Sequence, residues 1–151
     1  MNFNNRIAYN GNVSYFLEPL EATSTGFSDS VNRLAYDKWA SNFSDEVVNN
    51  LFNQEISDIE SMICMHYYAG SIYKNEFWDY AKDISYNKLK KAFTNNGDFC
   101  KIIYNALSSN NILDTYNRDV GQFSLRSYKI NIEGLNLKEK LLKDFKTILR
   151  D

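Results

Sequence analysis

Few residues in this chain are of a type that does covalent chemistry, and their spacing limits what they can do. His66 is the single histidine, so a Ser-His-Asp arrangement is available only through it. It falls among Met62, Ile63 and Met65 on a helical stretch. That setting suits a packed or partly exposed imidazole, because a general base also needs an adjacent nucleophile and an orienting acid. Cys64 and Cys100 make no CxxC pair and no metal-ligand spacing. They read as two reduced thiols in a cytosolic protein. A catalytic cysteine needs a basic partner to become a thiolate, and one histidine offers little choice. Glu18 and Glu21 stand close together before a polar stretch. Two carboxylates divide acid and base roles only where their environments differ, and a solvated loop gives no such division. Lys88, Lys90 and Lys91 form a basic cluster ahead of Phe93, suited to phosphate contact or to a solvated helix face. No GxxxxGK[ST], GxGxxG or HExxH is present, so no phosphate loop, dinucleotide loop or zinc helix is signalled. The residues alone therefore predict no catalytic set, no metal and no cofactor.

The densest feature is aromatic. Tyr67, Tyr68, Tyr73, Phe77, Trp78, Tyr80 and Tyr86 crowd one segment. At helical spacing Tyr73, Phe77, Tyr80 and Ile84 share one face. Two readings stay open, core packing or a contact patch, since Trp and Tyr dominate binding hot spots. The run wraps more than one face of a helix, so some of these rings are expected at the surface. Tyr68, Tyr73, Phe77, Trp78 and Tyr80 are the candidate partner-binding residues. Tyrosine suits such a role, offering large area and a hydroxyl at low entropy cost, and the chain holds 11 Tyr.

The order of features here is similar to that of the mono-ADP-ribosyltransferases. In that family a tyrosine and small residues precede a second tyrosine and the next helix. Here the run is Tyr68-Ala69-Gly70-Ser71-Ile72-Tyr73-Lys74-Asn75-Glu76-Phe77. A further helix ending in an Ala-Leu pair follows, matched by Phe99 to Leu107 with Ala106-Leu107. Next in the family comes an aromatic-Arg pair whose arginine binds NAD phosphate, and the nearest match is Tyr116-Asn117-Arg118. Tyr36-Asp37-Lys38-Trp39 resembles the Tyr-x-x-Trp that opens clostridial members. The resemblance covers residues 36–118 and implies a domain that binds NAD, with Arg118 at its phosphate. The family also needs a Ser-Thr-Ser strand and an ExE turn, and neither follows Arg118; Thr23-Ser24-Thr25 lies upstream, in the wrong order. Stabilising an oxocarbenium-like transition state needs a placed carboxylate. The resemblance thus implies the N-terminal helical half of such a fold, split, truncated or degenerate.

The elements that position these residues follow from periodicity. A chain of 151 residues fits one domain, here 1–151, and buries about two-thirds of its unfolded surface. Asn10-Gly11-Asn12 between Ile7-Ala8-Tyr9 and Val13-Ser14-Tyr15-Phe16-Leu17 predicts an N-terminal hairpin. Glu18 to Ser30 reads as a surface loop. Ser28 or Asp29 caps a helix with Val31, Leu34, Ala35 and Trp39 on one face. Ser44-Asp45-Glu46 opens a second, and a third starts near Ser57. An amphipathic stretch runs from Ile72 to Phe93 and stops at Asn95-Asn96-Gly97. Asp98 caps the helix of Phe99, Ile102, Ile103, Ala106 and Leu107. From 122 to 132 the period shortens towards 2, predicting one or two strands broken near Ser127. Asn136 caps a last helix with Leu137, Leu141, Leu142, Phe145, Ile148 and Leu149. The expected fold is one α+β domain, predominantly α-helical, with five or six helices, an N-terminal β-hairpin and one or two further short strands.

Charge and hydropathy narrow the function classes. The net charge of −2 provides no global basic field for nucleic acid. No apolar stretch reaches eighteen residues, which argues against a membrane span, and Met1-Asn2-Phe3-Asn4-Asn5 has no apolar core of a signal peptide. Residues 1–60 hold three basic and nine acidic residues, a net of −6, against +4 for 61–151. This asymmetry fits two complementary halves of one fold, or an acidic surface that meets a basic partner. The missing catalytic set favours a non-enzymatic binder of a protein partner, of the small inhibitor or immunity-protein type that phages and plasmids carry. The alternative is the NAD-binding, transferase-derived domain.

Overall fold

A computed structural model describes residues 1–11, 14–15, 23–109, 119–120 and 123–149. Among these residues the chain is α+β and predominantly helical, with six helices and two short antiparallel ribbons. It divides into two compact units, Met1–Glu60 and Ser61–Asp151. That boundary falls where the charge of the sequence changes from acidic to basic.

The first unit opens with the hairpin of β1 (Phe3–Asn4) and β2 (Ile7–Ala8), in register Phe3 with Ala8 and Asn4 with Ile7. The hairpin is present, but its turn is Asn5-Arg6 rather than Asn10-Gly11. Asn5 takes the positive φ, 52°, that such a turn needs. The physical reason lies far along the chain. Asn49 accepts from the amides of Asn2 (2.7 Å) and Phe3 (2.9 Å) and donates to the Phe3 carbonyl (2.8 Å). It thereby completes the open edge of β1, as a neighbouring strand would. Asp45, one turn earlier, accepts from the Asn5 amide at 2.8 Å and pairs with Lys38 at 2.9 Å. Gly11 does adopt a positive φ, 63°, but in a turn where its carbonyl accepts from Ser14 and Tyr15. Asn12, Val13, Phe16 and Leu17 lie outside the described residues, as do Glu18 and Glu21.

Helix α1 (Thr23–Ser41) starts earlier than the expected Ser28-Asp29 cap, so Thr23 to Ser30 is helix and not loop. Phe27, Val31 and Leu34 recur at i, i+4 and i+7 and are all buried, which carries the helical face back through Phe27. Trp39 sits at the margin of that face and is exposed. Helix α2 (Asp45–Ala69) opens at Ser44, whose hydroxyl accepts from the Val47 amide at 3.3 Å. It runs without interruption through Ser57, where a separate helix was expected, because no Gly or Pro breaks it. Phe3, Tyr15, Phe27 and Phe52 form the aromatic centre of this unit, with Tyr15 and Phe27 ring centroids 4.5 Å apart.

In the second unit α2 ends at Gly70, with φ 91°, which only glycine adopts freely. Helix α3 (Glu76–Asn95) and helix α4 (Gly97–Ser108) share one junction residue. Asn96, rather than Asp98, caps α4 by accepting from the Phe99 amide at 3.0 Å, while its own amide donates to the Ala92 carbonyl of α3. The expected strands near 122–132 are mostly helix. Only β3 (Asp119–Val120) and β4 (Phe123–Ser124) pair, and α5 (Leu125–Gly134) follows, capped by Ser124. Leu125, Tyr128 and Ile132 satisfy i, i+3, i+7 and are buried, whereas Ile130, which alternation would bury, is exposed. Asn136 caps no helix. It takes φ 53° in a Schellman ending of α5, with the Leu137 amide on the Ile132 carbonyl and the Asn136 amide on that of Glu133. Helix α6 (Lys138–Asp144) follows, and Leu137, Leu141, Phe145 and Leu149 are buried while Leu142 is exposed. The core of this unit joins Met62, Met65 and Tyr68 to Leu89, Phe93, Phe99, Ile103, Tyr128 and Phe145.

Candidate functional site

The aromatic segment separates into three environments. Its scaffold is built locally: Ser71 Oγ accepts from the Tyr73 amide at 3.1 Å, and Asn75 Oδ1 accepts from the Trp78 amide at 3.1 Å, capping α3. Glu76 and Asp79 in the first turn complement the positive end of the helix dipole. Ser85, Leu89 and Phe93 face the core. Phe77, Tyr80 and Ile84, at i, i+3, i+7, lie on the other side and are exposed; Phe77 is 58% and Tyr80 66% accessible. Tyr73 and Ile72 are exposed in the turn before the helix. Trp78 is half-buried, its ring 5.8 Å from Tyr67 and 5.1 Å from Phe77.

Tyr68 does not belong to this surface. It is 1% accessible, in the row of α2 that carries Met62 and Met65 into the core. Its hydroxyl donates to Asp144 Oδ2 at 2.6 Å, and its ring lies 5.8 Å from Phe145. Lys140 places its ammonium 3.9 Å from the centre of the Tyr68 ring and donates to the Tyr68 carbonyl, in the last turn of α2. Burial, then the hydrogen bond to Asp144, raises the Tyr68 phenol. Burial, then the charge of Lys82, lowers Lys140. Tyr86 is half-buried and packs against this core, stacked on Phe145 at 5.4 Å. This is a structural clamp between α2 and α6.

The other residues weighed for chemistry are dispersed. His66 Nδ1 lies 2.9 Å from the Met62 carbonyl one turn back, the packed role expected of it. Cys64 is buried and Cys100 half-buried, and neither forms a disulfide. Cys100 lines an open groove of about 930 Å³ with Phe93, Tyr104 and Leu149. Burial raises its thiol, which therefore stays protonated and weakly nucleophilic at neutral pH. Lys88, Lys90 and Lys91 are exposed on the second half of α3. Tyr116, Asn117 and Arg118 lie outside the described residues. Among the described residues no group of His, Cys, Asp and Glu gathers to hold a metal ion, and no helix is long and apolar enough to cross a membrane.

The structure adds one feature that the aromatic reading passed over. Glu76, Asp79 and Asp83 recur at i, i+3, i+7 beside the row of Phe77, Tyr80 and Ile84, and all three are exposed. Their spacing was visible in the sequence. Compared with known proteins, the chain matches no family model, no curated protein and no solved structure.

Proposed function

We propose that the chain is a non-enzymatic interaction module, of the small inhibitor or immunity-protein kind, which holds a protein partner on the exposed face of α3. The observation that carries this reading is the row of Phe77, Tyr80 and Ile84 turned to solvent on a helix whose opposite side packs in the core. Scattered exposed apolar residues are ordinary, but an ordered row of them marks an interaction site. The acidic row of Glu76, Asp79 and Asp83 alongside selects a partner with basic residues flanking apolar ones. Trp78, braced by Tyr67 and Phe77, supplies a stiff edge to the patch.

The test uses a synthetic amphipathic helical peptide with leucines on one face and lysines beside them. Its binding to the full chain is followed by fluorescence anisotropy. The expected result is saturable binding that added salt weakens. The double variant Phe77→Ala, Tyr80→Ala weakens it by at least about tenfold, the scale of losing hot-spot rings. Equal binding by the double variant, or none by the wild type at millimolar peptide, overturns the proposal.

A further inference from the structure

The exposed side of α3 carries its two rows on past Asn87 to Lys90 and Lys91, and their chemistry changes at the middle. One row reads Phe77, Tyr80, Ile84 and then Lys91; the other reads Glu76, Asp79, Asp83 and then Lys90. All eight are exposed. A purely basic partner complements the first half of this surface and clashes with the second. A helix of the same polarity, laid antiparallel, complements both, and α3 itself is such a helix. Under two-fold symmetry each row meets itself run in reverse. With Asp83 beside the two-fold axis, Glu76 then faces Lys90 of the other helix and Asp79 comes within reach of it, while the stem of Lys91 crosses the ring of Phe77. Parallel pairing crosses the rows, which sets the acids on Phe77, Tyr80 and Ile84 and lysine on lysine.

From this charge complementarity we infer that a second copy of this chain occupies the face, joined through antiparallel α3 helices about a two-fold axis. The inference rests on reading that face as an interaction surface. The 20 residues of α3 span about 30 Å, and a single helix pair of that length lies at the low end of specific interfaces. The dimer is accordingly concentration-dependent. The copy and a basic foreign partner cover the same residues, so each excludes the other.

Sedimentation velocity of the full chain, from about 1 to about 500 μM, reads the outcome. The wild type passes from monomer to dimer mass over this range, and added salt shifts the transition upward. The charge-reversed variants Asp79→Lys, Asp83→Lys and Lys90→Glu, Lys91→Glu each stay monomeric where the wild type is dimeric. Their equimolar mixture recovers the dimer mass, and circular dichroism confirms that each keeps its helix content. A wild type that stays monomeric, a reversed variant that dimerises like the wild type, or a mixture that stays monomeric overturns the inference. A monomeric chain that still holds the basic peptide removes only the second copy. A chain that does neither removes the interaction face as well.

Discussion

Tyr68→Phe distinguishes a core residue from a contact residue with the loss of one atom. The phenyl ring keeps its place against Tyr86 and Phe145, and what disappears is the hydroxyl's 2.6 Å hydrogen bond to Asp144 with its longer 3.4 Å contact to the Lys140 carbonyl. Hydrogen bonds to charged groups contribute roughly 1.5–3 kcal/mol. Asp144 is exposed and regains water when the hydroxyl goes, which brings the expected loss to about 1–2 kcal/mol. For a chain of this length that is a drop in Tm of roughly 2–8 °C. The loss also has a pH signature. The folded phenol is raised above its ordinary value of 10.0. Its contribution is therefore fully present below pH 10 and is lost as pH rises from there towards the folded value. Lys140 works the other way. Its folded value is lowered from 10.5, so stability rises with pH between the lowered value and 10.5. Both proteins contain Lys140, so the difference between them isolates the tyrosine. Urea unfolding followed by circular dichroism across pH 7 to 11 should show the wild-type advantage intact at neutral pH and shrinking above pH 10. Peptide binding should be unchanged. A variant as stable as the wild type that has lost peptide binding refutes the assignment of Tyr68 to the core.

Three further outcomes are expected. Asn49→Ala removes the acceptor for the Asn2 and Phe3 amides and the donor to the Phe3 carbonyl in a buried setting; a loss of about 2–4 kcal/mol should appear in urea unfolding, and a loss under about 0.5 kcal/mol contradicts the clip. The Asn5 amide, then Lys38, lowers the Asp45 carboxyl below its usual value of 3.8. Its contribution is present above that value and lost as pH falls through the folded one, so the Asn5 amide resonance should titrate below pH 3.8, and a midpoint at or above 3.8 contradicts the hydrogen bond. Calorimetric titration with NAD should give no saturable heat at millimolar NAD; saturable binding abolished by Arg118→Ala establishes the transferase relationship instead.

How far the fold was legible depended on whether the deciding contact was local. Helix α4 was legible because Phe99, Ile102, Ile103, Ala106 and Leu107 sit at one spacing and are all buried. The hairpin turn was misplaced because Asn49, 46 residues beyond Phe3, completes the β1 edge, and no local signal at Asn5-Arg6 outweighs an Asn-Gly. Residues 125–132 fit either a helix or strands broken near Ser127 at Leu125, Tyr128 and Ile132, and the exposure of Ile130 with the burial of Lys129 separates them. For the site, the spacing of Phe77, Tyr80 and Ile84 was plain. Which side of α3 faced the core was not, since Leu89 and Phe93 make the opposite side apolar too. Tyr67 and Tyr68 are adjacent and of one type. Their different burial is set by the α2 row that meets Phe145, which chain order does not disclose.

The most direct test of the α3 face is amide chemical-shift mapping of the full chain during titration with the basic amphipathic peptide. The shifts should cluster from Tyr73 to Ile84, strongest around Phe77, Tyr80 and Ile84, and leave Tyr68 and the α4 core unmoved. Shifts centred elsewhere, or none at saturating peptide, contradict the assignment of this face to partner binding.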